Sequence, residues 1–147
     1  GPAGCTAARI AAGKGARVLL VEKRPVIGLP VQCAEYVPVQ IIDYVPVPER
    51  SIAQRIRKLR THLPDGETVE TPAAGYVLDR ATFDKAQAIA ARRAGVEIWT
   101  GARVTERTDE GVLIRRGGRG FEVVCRIVVG ADGQDLPVLH GHGDHAG

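Results

Sequence analysis

The chain has 147 residues, one domain's worth, with a formal net charge of +3. That charge is too mild to point to nucleic acid, although it suits an anionic small molecule or a lipid surface. An apolar share of 44% with few aromatics fits a tightly packed α/β core, and Cys5, Cys33 and Cys125, odd in number and without C-x-x-C spacing, indicate neither a disulfide framework nor a zinc site.

The chain opens on Gly1-Pro2-Ala3-Gly4, a glycine turn leading into a helix of small residues over 5–12 that Gly13 and Gly15 break. Val18-Leu19-Leu20-Val21 then makes an apolar strand that ends on Glu22. This is the second half of a Rossmann dinucleotide-binding unit. Backbone N–H groups at a helix start lack intrahelical partners and carry the positive end of the helix dipole, so they suit a pyrophosphate. Gly1 and Gly4 have no Cβ to hold it away, and Glu22 is placed to accept hydrogen bonds from a ribose diol. Lys23 and Arg24 follow, either as a solvated strand end or as a contact to adenine or phosphate. The full fingerprint has a further glycine two residues before Gly1 and a buried strand before that. With no Met anywhere, the chain reads as a fragment whose first strand is missing.

Residues 25–35 hold two prolines and a glycine and read as an ordered loop. Residues 48–63 read as an amphipathic helix, with Ile52, Ile56, Leu59 and Leu63 at helical spacing and Arg55, Arg57, Lys58 and Arg60 opposite. That basic face is either solvated or a contact for an anionic head group. Pro64-Asp65-Gly66 is a turn, and residues 67–71 alternate as a half-buried strand. A strand ending at Asp79 leads to a helix capped by Asp79, with Phe83, Ala86, Ala90 and Ala94 on one face and Gly95 closing it. Arg80 at that helix start opposes the dipole, a cost that a bound anion would offset; the alternative is a surface pair with Asp79 or Asp84. Short strands follow at 96–99 and 102–105, and a hairpin joins 112–115 to 121–125 across Gly117-Gly118-Arg119-Gly120. An apolar strand, Ile127-Val128-Val129, runs into Gly130-Ala131-Asp132-Gly133. His140, His142, Asp144 and His145 lie in a tail with no element to fix metal-ligand geometry, so no metal site is assigned. No apolar run approaches the roughly 20 residues of a membrane span.

Three stretches in this order resemble the geranylgeranyl reductase family: Glu22-Lys23-Arg24 with Ile27-Gly28 and Pro30-Val31-Gln32-Cys33-Ala34-Glu35; Gly75-Tyr76-Val77-Leu78-Asp79-Arg80 with Phe83-Asp84; and Gly130-Ala131-Asp132-Gly133. The resemblance implies an α/β Rossmann-like FAD-binding domain of the aromatic-hydroxylase type, joined to the start of a β-rich substrate layer. It implies a partial FAD-binding domain over 1–133, with an inserted segment 37–75 facing the substrate domain, and a divergent tail over 134–147. FAD would be held by Gly1, Ala3, Gly4, Glu22, Lys23, Cys33, Ala34, Arg80, Val104, Asp132 and Gly133, with Val104 meeting adenine through its backbone. Cys33 is the candidate catalytic residue; read without the family it is a buried small hydrophobe. Where the family has a glycine after the acid of its loop, this chain has Tyr36. The activity implied is reduction of C=C bonds in geranylgeranyl chains of lipids or pigment precursors, with NADPH or ferredoxin feeding the flavin. Alternatives are an aromatic-hydroxylase-like monooxygenase and a non-catalytic dinucleotide-binding fragment, and the fragment alone is expected to be inactive. The partner expected is a prenyl lipid, not nucleic acid, in a cytoplasmic setting with peripheral membrane contact.

Overall fold

A computed structural model describes residues 1–31, 33 and 35–133. The elements in chain order are α1 (Pro2–Gly13), β1 (Leu19–Glu22), β2 (Tyr36–Pro38), β3 (Ile52–His62), β4 (Thr68–Leu78), α2 (Arg80–Arg93), β5 (Glu97–Thr100), β6 (Ala102–Arg107), β7 (Gly111–Arg116) and β8 (Arg119–Val124). Two short 3-10 turns, Val39–Asp43 and Glu49–Ser51, link β2 to β3.

β1 and β5 pair in parallel, Leu19 against Glu97 through Glu22 against Thr100. Their side chains alternate between two covers, as period 2 demands. Val18, Leu20 and Ile98 pack with Ala8, Ala91 and Val96 under the helices α1 and α2. Leu19, Val21 and Trp99 pack on the other side with Ala102, Val112 and Ile114, which belong to the antiparallel sheet β6-β7-β8. The small residues of α1 and α2 let two helices share one side of a two-stranded sheet. A third cluster, Val45, Leu78 and Phe83 with Val37, Ile41 and Ile52, joins α2 to the antiparallel sheet β2-β4-β3.

Residues 52–62 form a strand, not the helix expected over 48–63. Several partners on β4 favour a ladder: Thr71, Val69 and Thr68 are β-branched, Pro72 and Gly75 resist a helix, and the hairpin pairs Ile52 with Leu78 through His62 with Thr68. Register shifts after Ile52 and after Ile56 interrupt the alternation by which a strand announces itself. The strand expected at 67–71 is the exposed far end of the eleven-residue β4, so it is not half-buried. The stripe of α2 is also rotated: Phe83, Asp84, Gln87, Ala88 and Ala91 are the buried residues. Gln87 is admitted because its amide donates to the Pro46 carbonyl at 2.6 Å.

Residues 127–129 do not form the expected strand. Val128 packs toward Ile114, whereas Ile127 and Val129 are 80% and 66% exposed. The segment is extended in side-chain alternation, but among the described residues no strand lies beside it to complete a ladder.

β2 and β4 approach so closely at Gly75 that a Cβ there would stand 2.4 Å from the Val37 carbonyl oxygen. Gly75→Ala is therefore expected to lower unfolding free energy by about 1–3 kcal/mol in a denaturant titration. Gly120→Ala, whose added methyl would meet Leu113 Cδ1 at an ordinary 3.7 Å, should change it by less than about 0.5 kcal/mol.

Candidate functional site

The site is built around the start of α1. Pro2 occupies the first turn, where its missing N–H costs nothing, and Gly1 precedes it as a cap without a side chain. No side chain caps the first-turn amides. A Cβ on Gly1 would meet nothing within 4 Å, while one on Gly4 would press on Ala131 at 3.3 Å. Thus Gly1 faces open space and Gly4 lets α1 lie against the glycine-flanked turn at 130–133. Glu22, at the carboxyl end of β1, accepts from the Arg24 amide at 2.9 Å and holds its other oxygen 3.7 Å from the Gly1 nitrogen. The acid and the helix start therefore meet at one point.

Residues 25–31 leave β1 and pass the start of α2 at Gly28. Gly28, at φ +83°, passes so close to Ala81 that a Cβ would stand 2.9 Å from its Cα. Arg24 donates through Nη1 to the Pro30 carbonyl at 2.9 Å, which ties the loop back to β1. Cys33 is exposed, contrary to its reading as a buried hydrophobe, because it stands on a loop that lies over the cleft. Its Sγ accepts from the Glu35 amide at 3.4 Å. The left-handed backbone here falls on Glu35, at φ +67°, and Tyr36 begins β2 in extended form. The loop thus makes its turn one residue ahead of the position where Tyr36 would have been strained. Ala34 lies outside the described residues.

Asp79 caps α2: its carboxylate accepts from the Thr82 amide at 3.1 Å and from the Thr82 hydroxyl at 2.6 Å. These bonds hold the Asp79 carboxyl below its ordinary value, the hydroxyl first. Arg80 donates from Nε and Nη2 to the two oxygens of Asp84, at 3.1 and 3.2 Å. The pair is screened from water, with side chains 19% and 12% exposed. Burial works against the Arg80 charge, but Asp84 and then the Cys33 thiol outweigh it and keep the guanidinium above its ordinary value. The sequence posed the ion pair and the cofactor contact as alternatives; one side chain can serve both, because Asp84 takes only part of the fork.

These parts line one cleft of about 1340 Å³. Gly1, Gly4, Glu22, Lys23, Cys33 and Arg80 share it with Val104, Asp132 and Gly133. Lys23 is exposed at its rim, whereas Ala3, exposed on the first turn of α1, is not among the lining residues. Asp84 and Gly28 also line it, and sequence reasoning gave them no part of their own. The i,i+4 spacing of Arg80 and Asp84 was a signal for the first, and the Ile27-Gly28 pair for the second. The His140–His145 region lies outside the described residues; among those described, no group of His, Cys, Asp and Glu could hold a metal ion. No described helix is long and apolar enough to cross a membrane.

The chain is similar to curated digeranylgeranylglycerophospholipid reductases. It is 41% identical to reductase 1 of Methanothermobacter thermautotrophicus and 36% identical to that of Methanothrix thermoacetophila, each over 94% of the chain. The chain spans 38% of the length of each. Among solved structures it resembles a geranylgeranyl bacteriochlorophyll reductase-like protein from Thermoplasma acidophilum, at TM-score 0.76 and 32% identity, over 82% of this chain and 34% of that one. A myxobacterial chondrochloren halogenase, described as a FAD-dependent halogenase, superposes at TM-score 0.75 and 21% identity over 94% of this chain and 36% of its own, and shares the fold. No family model matches the chain.

Because the folded Asp79 carboxyl is lowered, its stabilisation is present above its ordinary value of 3.8 and is lost as pH falls through the folded one. The gap in melting temperature between wild type and Asp79→Ala should be full at neutral pH and narrow in acid below 3.8. A gap constant across that range would show that the carboxylate charge contributes nothing to the cap.

Proposed function

We propose that the chain is the FAD-binding part of a reductase that saturates C=C bonds in geranylgeranyl chains of lipids or pigment precursors. The observation that carries this reading is the cleft joining the uncapped start of α1, Glu22 and Arg80, in a chain 36–41% identical to named reductases of such lipids. The residues fit the group. The α1 amides and Gly1 suit a pyrophosphate, Glu22 suits a ribose diol, and Val104 and the turn at Asp132 and Gly133 suit the remaining dinucleotide edge.

When bound, FAD would supply the hydride that saturates the prenyl double bond. The chain's own residues bind and orient. Arg80 offsets anionic charge at the cleft, the loop clamped at Gly28 keeps Cys33 near the same wall, and Leu19 and Val21 help keep the far side apolar. Cys33 is the candidate for positioning the prenyl chain or donating a proton from its thiol. Residues 1–133 would form the partial FAD-binding domain, with segment 37–75 facing the substrate domain of the whole protein. Leu59, Leu63 and Val69, 45%, 37% and 45% exposed on the β3-β4 hairpin, support that orientation. Peripheral contact with a lipid surface would rest on such apolar residues, since Glu49 pairs with Arg55 and Glu70 pairs with Lys58 and Arg60. NADPH or ferredoxin would feed the flavin. The aromatic-hydroxylase-like alternative is less supported, as the halogenase likeness concerns the fold alone.

Full-length protein containing this chain is expected to purify yellow with bound FAD. Glu22→Gln should weaken FAD by roughly 10- to 150-fold, the equivalent of one charge-assisted hydrogen bond of about 1.5–3 kcal/mol. Unchanged affinity in an apoprotein titration would make Glu22 a strand end only.

Cys33→Ser, nearly isosteric, should leave folding intact while altering flavin absorbance and slowing anaerobic reduction of a geranylgeranyl lipid. Matching spectra and rates in wild type and variant would remove Cys33 from the active site.

A further inference from the structure

We infer that Asp84 is a positioning residue, fixing the plane of the Arg80 guanidinium at the cleft so that the part of the fork Asp84 does not take can meet an anionic ligand. The inference rests on the FAD-binding reading and adds to it a residue that reading does not use. Arginine has five N–H donors in a rigid planar fork. Asp84 accepts one from Nε and one from Nη2, which fixes the plane; the Cys33 side chain also bonds to the guanidinium, and Arg80 lines the cleft.

Three observations argue that this pairing serves more than the stability of α2. Arg80 and Asp84 lie in the first two turns of α2, where a cation opposes the dipole, so a pair in this order, Arg before Asp, is the weaker arrangement for a helix. Asp84 is 9% exposed, so its charge is kept out of water and depends on Arg80 for compensation. Finally, Asp84 reaches α1 as well: burial first pushes the Cys5 thiol up, and Asp84 and Glu22 push it further. An unpaired carboxylate at that place would repel an anion seated on the start of α1. Paired, it turns the same position into a mount for a cation. Ala81, next to Arg80, lies so near Gly28 that a Cβ there would not fit, which sets the loop beside the mount.

The test is a double-mutant cycle on full-length protein, read as FAD affinity by fluorescence quenching of the refolded apoprotein, with circular dichroism and melting temperature as folding controls. Asp84→Asn should weaken FAD about 5- to 20-fold, and Arg80→Ala by more. The double variant should bind no more weakly than Arg80→Ala alone, since without Arg80 there is nothing left to position and an anion has been removed. Arg57→Ala, on the exposed hairpin, should leave affinity unchanged. If the losses at Arg80 and Asp84 multiply, Asp84 acts only through the fold and the inference is overturned. Should Asp84→Asn fail to fold, Arg80→Lys decides: lysine keeps the charge but cannot take the fork. A loss of at least 5-fold supports positioning, and full affinity overturns it. Wild-type protein that binds no FAD would instead sink the cofactor reading, a separate outcome seen before any variant is made.

Discussion

The turn from β4 into α2 is the constraint on which the rest of the structure depends. Within five residues it gives bonds to two remote segments and passes close to a third. The Leu78 amide donates to the Glu35 carbonyl at 3.0 Å, the Asp79 amide to the Ser51 carbonyl at 2.8 Å, and Gly28 runs so near Ala81 that a Cβ there would not fit. Leu78 itself is fully buried, and Ser51, also fully buried, satisfies its hydroxyl on the Pro48 carbonyl at 2.6 Å. Buried backbone groups must be paired, so none of these segments can move alone. The junction thereby sets the position of Cys33, the entry to β3 and the aim of Arg80 at once.

The cleft follows from two chain directions. Because β1 and β5 are parallel, their carboxyl ends share one edge, and the start of α1 points to that edge from the helix layer. Small residues carry this packing: Ala8 against Ala91 on the helix side, and Gly4 against Ala131 across the cleft. The result gathers dipole, acid and cation within one depression without any of them being neighbours in sequence. Only Lys23 and Arg24 adjoin Glu22, and the Arg80–Asp84 pair arrives from nearly sixty residues away.

The β3-β4 hairpin shows the opposite economy. On one face, ion pairs of Glu70 with Lys58 and Arg60 and the His62–Thr68 contact satisfy the hairpin from within. The other carries Leu59 and Val69 in the open. Such exposed pairs contribute little stability, and a lone hairpin is marginal in water. Glu49 pairs with Arg55 and Glu70 with Lys58 and Arg60, which offsets part of the cationic face a helix would have shown. An arm of this kind is suited to packing against further protein.

Read by itself, the sequence determined what local chemistry decides. Gly13 ended α1, although the helix begins at Pro2 and takes in the residues expected to form a turn; the apolar run to Glu22 made β1, Asp79 and Gly95 bounded α2, and Gly117-Gly118 turned β7 into β8. In each case one residue's backbone preference or hydrogen-bonding side chain settles the matter within a few positions. Tertiary structure decided the rest. Residues 52–62 have helical spacing, yet pairing with β4 outweighs it; Ile127-Val128-Val129 has a strand's composition, yet no ladder forms without a neighbour. The α2 face turned toward Gln87 because the distant Pro46 carbonyl was there to receive its amide. Those outcomes depend on which distant groups meet, and no window of the sequence contains both members of the pair.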